Sequence, residues 1–294
     1  MRALLLALAV VLAPAADAEN FQPPGRLVPV FDTVLHLNCT GAGTPTVVLE
    51  AGIGGNYLDW TLVQPRLSAT MRVCSYDRAG AGFSARTARK RTVANINEEL
   101  FQLVRAGGLA RPFLYVGHSF GGLLGLGYAR RYPEDVAGLV LVDSMHPAQF
   151  ERFAAAGIEL DTDPHLVLGR TPAFAATYGL PEDLHRRAMS LALADSARVF
   201  VVREMTLMVE NAHTVADEGF PSLPARVLVH GNDEWEAVPP RGRMEAVWRD
   251  LQADMATRLG APAPTIVPNS GHQIALDAPD AVVAAVTELA ASPR

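Results

Sequence analysis

The segment that most constrains this chain is 112–124, PFLYVGHSFGGLL. Phe113, Leu114, Tyr115 and Val116 form a short apolar run of the kind that makes a strand buried on both faces. Residues 123–128 open an apolar segment that runs into Arg130 and Arg131 and stops at Pro133, a helix pattern with its end signal. Between the two lies Gly117-His118-Ser119-Phe120-Gly121, a G-x-S-x-G element set between strand and helix. A serine at so sharp a turn takes a strained backbone, and its neighbours two residues away come too close for side chains. Gly117 and Gly121 remove those clashes. The Ser119 hydroxyl is then predicted above the carboxyl edge of a sheet, at a helix N-terminus whose amides favour developing negative charge. A glycine-rich turn with an incidental serine is the alternative, and the flanking strand and helix favour a nucleophile.

The remaining segments alternate around this one. Residues 35–38 and 46–50 are short apolar runs separated by Gly41-Ala42-Gly43, a hairpin-like signal. Apolar residues at helical spacing follow over 60–67, then a strand over 72–76. A helix is predicted over 93–104, with Thr92 as N-cap and Gly107-Gly108 as stop. Another strand over 136–142 ends at Asp143. From 148 to 222 the pattern is mostly helical, which predicts an inserted helical cap over the site, with the core made by 19–147 and 223–294. Alternation resumes at 226–230, a long helix covers 244–259, and a strand at 265–267 leads to Asn269-Ser270-Gly271-His272. Pro279 opens the closing helix. Strands alternating with helices predict an α/β architecture with a mostly parallel, doubly wound sheet, whose ligands bind beyond the carboxyl ends of the strands.

The 294 residues could hold one α/β domain with an insertion or two small domains, and a hydrophobic fraction of 49% is ample for a core. A formal charge of −6 gives no electrostatic footprint for nucleic acid. Met1-Arg2, the apolar run 3–13 and Ala16-Asp17-Ala18 have the layout of a cleaved signal peptide over 1–18. The run is too short to span a bilayer, which takes about 20 residues, and no cysteine follows the cleavage site to carry a lipid. The mature chain is therefore expected to start near Glu19 and to be periplasmic or secreted, without a stable membrane anchor. An exported chain can oxidise its thiols. Cys39 and Cys74 fall on the second and fourth strands, expected to be neighbours in the sheet, and a disulfide between them is predicted.

The segments VVLEAGIGG, RVCSYDRAGAGFS, LYVGHSFGGLLGLGYARRYPEDVAGLVLVDSMHP and SGH resemble the α/β-hydrolase fold superfamily, in a branch of small secreted or soluble serine hydrolases, over nearly all of the mature chain. The resemblance implies a triad. Ser119 needs a base to accept its proton as it attacks, and His272 stands in the loop where the family places its catalytic histidine. His118, beside the nucleophile, is assigned packing or hydrogen bonding, and His146 and His230 are weaker candidates for the base. The commonest family arrangement puts the acid after the seventh strand, three residues beyond a glycine. Here that slot is Glu234, with Asp233 one earlier, and the spacing to Val238-Pro239 is off by a residue. Some family members instead use a carboxylate at the end of the sixth strand, which here is Asp143. The reading leans to Asp143 and keeps Asp233 and Glu234 open. The resemblance also places the oxyanion amides at Phe120 and Ile53; many relatives have His-Gly where this chain has Ala51-Gly52, a departure that leaves the backbone amide in place. Asp77 and Arg78 are read as a structural ion pair bracing the glycine loop.

No H-E-x-x-H, clustered Cys/His spacing or P-loop occurs, and Gly80-x-Gly82 lacks the rest of a dinucleotide fingerprint, so no cofactor or metal is expected. The expected partner is a small-molecule ester, thioester or amide; oligomeric state is not legible. An aminopeptidase of the same fold would need an acid in the cap to hold the substrate's ammonium, and Glu204, Glu210, Asp217 and Glu218 are candidates. A non-catalytic small-ligand binder and an acyl transferase using the same intermediate are the other readings. An aspartate nucleophile, as in epoxide hydrolases and hydrolytic dehalogenases, is disfavoured by Ser119.

Overall fold

In a computed structural model of the chain, residues 21–159, 181–234 and 242–292 are described; the segment 1–18, expected to be a signal peptide, lies outside them. The strands are β1 (Arg26–Val30), β2 (Thr33–Thr40), β3 (Thr46–Glu50), β4 (Arg72–Tyr76), β5 (Phe113–His118), β6 (Val136–Val142), β7 (Ala225–His230) and β8 (Thr265–Val267). The helices are α1 (Gln64–Leu67), α2 (Val93–Ala106), α3 (Phe120–Arg131), α4 (Gln149–Ala155), α5 (Glu182–Leu193), α6 (Asp195–Thr206), α7 (Met208–Glu218), α8 (Arg243–Leu259), α9 (Ile274–Asp277) and α10 (Pro279–Ala291). The strands form one sheet in the order β1-β2-β4-β3-β5-β6-β7-β8. Pairing is antiparallel for β1–β2 and β2–β4 and parallel from β4 onward.

Every residue of β3 and β5 is buried, as the continuous apolar runs require of strands covered on both faces. Tyr115 and Val116 point to opposite sides. Tyr115 joins Leu100, Leu124 and Met255 in the core under α2, α3 and α8. Val116 joins Trp60, Leu67 and Val286 in the core under α1 and α10. Thr92 caps α2 by accepting from Asn95 N–H at 3.3 Å, and Pro279 opens α10.

The fold corrects two local expectations. The runs at 35–38 and 46–50 do not make a hairpin, because β4 lies between β2 and β3 and bonds to both. The true hairpin partner of β2 is β1, a strand whose Pro29 hides its alternation. The helix expected over 60–67 is broken into a 3-10 turn at Tyr57–Trp60 and the short α1, since Asn56 caps the turn at Leu58 and Pro65 restarts the helix. The segment between β6 and β7 carries α4 to α7 and no strand among the described residues. No described helix is long and apolar enough to cross a membrane.

Cys39 and Cys74 are register partners on β2 and β4, and their sulfurs are bonded with a Cα–Cα distance of 4.0 Å. The bridge closes a loop over a sequence separation of 35. Titration of denatured, unreduced protein is expected to find no free thiol, and reduction to cost about 2–4 kcal/mol in urea unfolding. Two titratable thiols would refute the pairing.

Candidate active site

Ser119 lies between β5 and α3 with φ 51° and ψ −120°, a backbone that L residues rarely adopt. Its neighbours show why two glycines flank it. A Cβ on Gly117 would meet the Gly121 carbonyl oxygen at 2.5 Å. One on Gly121 would meet the carbonyl oxygens of Glu50 and Ala51 at 2.5 and 2.6 Å. The strain is held by the ends of the turn: Ser119 N–H donates to Val142 O at 3.1 Å, and Met145 N–H donates to Ser119 O at 2.9 Å. The nucleophile candidate is thereby fastened to the end of β6, where Asp143 begins the next loop.

Asp143 is buried and also has a positive φ, 45°. Its Oδ2 accepts from His272 Nδ1–H at 2.6 Å and from His230 Nδ1–H at 2.7 Å. Its Oδ1 accepts from Trp248 Nε1–H at 3.0 Å and from the His230 backbone N–H at 3.2 Å. Burial alone would raise the carboxyl's pKa, but the hydrogen bonds from His230 and His272 outweigh it and hold the group well below the usual carboxylate range. Of the other candidate acids, Asp233 is exposed and pairs with Arg249 at 3.6 Å. Glu234 folds its carboxylate against Gly271, where a Cβ would collide with it.

His272 is half-buried in a loop fixed at three points. Ser270 Oγ donates to Val267 O at 2.8 Å, Gly271 N–H donates to Asp277 Oδ2 at 2.7 Å, and His118 Nε2–H donates to His272 O at 2.8 Å. The last bond is the role of His118: the residue before Ser119 holds the backbone of His272, with the two rings 4.7 Å apart. Burial pulls the His118 pKa down to about 3, so it stays neutral.

The amide candidates come from two loops. Phe120 N–H is the first of α3 and has no intrahelical acceptor by position. Ile53 follows Gly52, whose Cβ would lie 3.2 Å from Ser119 Cβ, so the loop passes directly over Ser119. Arg78 holds that loop from behind, donating to Ala51 O at 2.7 Å and Gly52 O at 2.8 Å. Asp77 and Arg78 do not pair with each other. Asp77 binds His36 at 2.7 Å, and Arg78 binds Glu50 and Glu204, each at 2.7 Å. The ion pairs bracing the loop are thus long-range ones, invisible to adjacency in sequence. Among the acids of the segment between β6 and β7, Glu204 is committed to Arg78, while Glu210, Asp217 and Glu218 are exposed on α7.

His230, a weaker candidate in the sequence, joins the Asp143–His272 cluster; its signal there is a place at the carboxyl end of a strand, as for Asp143. One ligand atom each from Asp143, His230 and His272 lies within 4.8 Å of the others. Both imidazole nitrogens, however, stand 2.6–2.7 Å from one carboxylate oxygen. Ligands of a tetrahedral zinc ion sit roughly 3.3 Å apart, so the spacing is that of hydrogen bonds within a self-satisfied trio.

Residues 47–285 match the profile of the alpha/beta hydrolase family. The chain is 39% identical over 114 residues to a protein of Klebsiella variicola (strain At-22) named "Putative carbamate hydrolase RutD", a match spanning 37% of this chain and 42% of that protein. It is 28% identical over 257 residues to the protein of the same name in Caulobacter sp. (strain K31), covering 82% of this chain and 88% of the relative. Among solved structures, a probable hydrolytic enzyme from Pseudomonas aeruginosa PAO1 superposes with a TM-score of 0.70 at 20% identity, over 93% of this chain and 97% of that one.

Proposed function

We propose that this chain, which belongs to the alpha/beta hydrolase family, is an exported serine hydrolase that opens an ester, thioester or small amide through an acyl-serine intermediate. Ser119 Oγ attacks the acyl carbon while His272 takes its proton. Asp143 fixes the imidazole tautomer through Nδ1–H and stabilises the cation that forms. The N–H groups of Ile53 and Phe120 receive the oxyanion. His272 then protonates the leaving group, and water, activated by the same imidazole, releases the acid. The observation that carries the reading is the 2.6 Å contact of His272 with Asp143, two residues 129 apart in sequence, in a loop that His118 fastens beside Ser119.

Export rests on the signal-like 1–18 and agrees with the Cys39–Cys74 disulfide, which reducing compartments disfavour. The aminopeptidase reading loses one of its four candidate acids, since Glu204 has both oxygens on Arg78. The test is labelling with a fluorophosphonate probe. Wild-type protein is expected to label stoichiometrically and Ser119→Ala not at all, and a panel of p-nitrophenyl esters, amino-acid arylamides and an alkyl carbamate then ranks the substrates. Folded wild-type protein that takes no label would favour the small-ligand binder.

A further inference from the structure

We propose that His230, backed by Glu245, is a positioning residue for the Asp143–His272 pair: a second imidazole that stands as a fixed cation on the same carboxylate oxygen that His272 uses. The proposal rests on the serine-hydrolase reading above. His230 is fully buried at the end of β7. Its Nδ1 lies 2.7 Å from Asp143 Oδ2 and its Nε2 lies 3.0 Å from Glu245 Oε1. Carboxylates accept hydrogen bonds, so an imidazole with one at each nitrogen must carry both protons. A neutral tautomer would turn a lone pair onto one of the two anions. Burial works against that charge, but the hydrogen bonds to Asp143 and then to Glu245 outweigh it and push the His230 pKa up to about 9.

The groups facing this cation can be named element by element. Asp143 comes from the loop after β6 and His272 from the loop after β8. Glu245 comes from α8, together with Arg249, which donates to Glu245 Oε1 at 3.0 Å and also pairs with Asp233. Two consequences follow for the triad. Asp143 receives four donors, two of them from His230, so the carboxylate cannot turn to follow His272. And the His230 charge on the same oxygen repels a second positive charge forming on His272 as it accepts the Ser119 proton.

The test is the pH profile of kcat/KM for a p-nitrophenyl ester with His230→Asn and His230→Phe. Asparagine keeps a donor toward Asp143 and removes the charge, so the acid limb is expected to move to higher pH by about one unit, with KM unchanged within twofold. Phenylalanine removes both and is expected to lower kcat at least tenfold, which asparagine partly restores. A readout independent of turnover is histidine NMR: in the wild type both His230 nitrogens stay protonated until about pH 9. Because the folded pKa is raised, the stability this group contributes is complete below its ordinary value of about 6.5 and is lost as pH rises through about 9. If His230→Asn does not fold, Glu245→Gln takes its place, and it is expected to lower the pH at which His230 loses its proton. A neutral His230 at pH 7, or an acid limb that does not move in a folded, probe-labelled variant, overturns the proposal. Wild-type protein that takes no fluorophosphonate label sinks instead the serine-hydrolase reading, and the positioning role with it.

Discussion

Replacing Asp143 by asparagine is expected to lower kcat/KM toward a p-nitrophenyl ester by about 10⁴-fold, the scale on which a triad loses its base when the tautomer is wrong. The carboxylate takes four N–H donors, two on each oxygen. An amide has one oxygen to offer. With that oxygen toward Trp248 and the His230 backbone, the NH₂ faces the two imidazoles, and His272 must present a lone pair at Nδ1. Its proton then sits on Nε2, where it blocks acceptance from Ser119. With the amide reversed, two buried N–H groups meet another donor, at about 1–3 kcal/mol each. Neither orientation serves. The same carboxylate sets a pH dependence of stability: its pKa is depressed in the folded state, so its contribution is present above the ordinary range near 4 and is lost as pH falls below it. A folded Asp143→Asn protein within tenfold of wild type would remove Asp143 from the triad. The double variant with Glu234→Gln would then show whether Glu234 has the role.

What could be read from the chain and what could not divide along the range of the interactions. The turn at Ser119 is local: an apolar run, two glycines at the positions that would clash with Gly121 O and Glu50 O, and a helix start. The Thr92 cap and the Pro279 helix start are local in the same sense. Sheet order is not. The run at 46–50 carries no mark saying that β4, written later, will take the place beside β2 that a hairpin would fill. The disulfide was legible because Cys39 and Cys74 needed only neighbouring strands. His230 and Trp248 were not, since one belongs to a strand that reads as core and the other to a helix whose pattern gives no reason for an indole N–H to end on a carboxylate. Asp143 could be named as a candidate from the end of β6, while its choice over Glu234 depends on which loop folds inward.

The Arg78–Glu204 contact lies at the same blind spot and carries the second large expected effect. Glu204 on α6 is fully buried and accepts from Arg78 Nε and Nη2, each at 2.7 Å. Arg78 Nη1 donates to Glu50 Oε1 and Ala51 O, and Nη2 also donates to Gly52 O. All five guanidinium N–H groups are therefore used. Burial disfavours the charge, but Glu204 and Glu50 hold the guanidinium ionised, well above its ordinary pKa. Glu204→Ala removes two of the five acceptors and leaves the cation with Glu50, and breaking a buried pair from one side costs about 3–5 kcal/mol. The loss should be read by urea unfolding beside Glu210→Ala, an exposed acid on α7 expected to change stability by less than about 0.5 kcal/mol. Activity should fall with it, for a reason of peptide geometry. The Gly52 carbonyl and the Ile53 N–H belong to one planar trans unit and point opposite ways. Arg78, drawing the carbonyl back, turns the amide toward Ser119. Removing an oxyanion donor outright costs about 10²–10³ in kcat, and loosening one by freeing Arg78 is expected to cost about tenfold, with KM little changed. A stability loss under about 1 kcal/mol would mean that Arg78 is sufficiently held by Glu50 and the two carbonyls, and that α6 does not anchor the loop over Ser119.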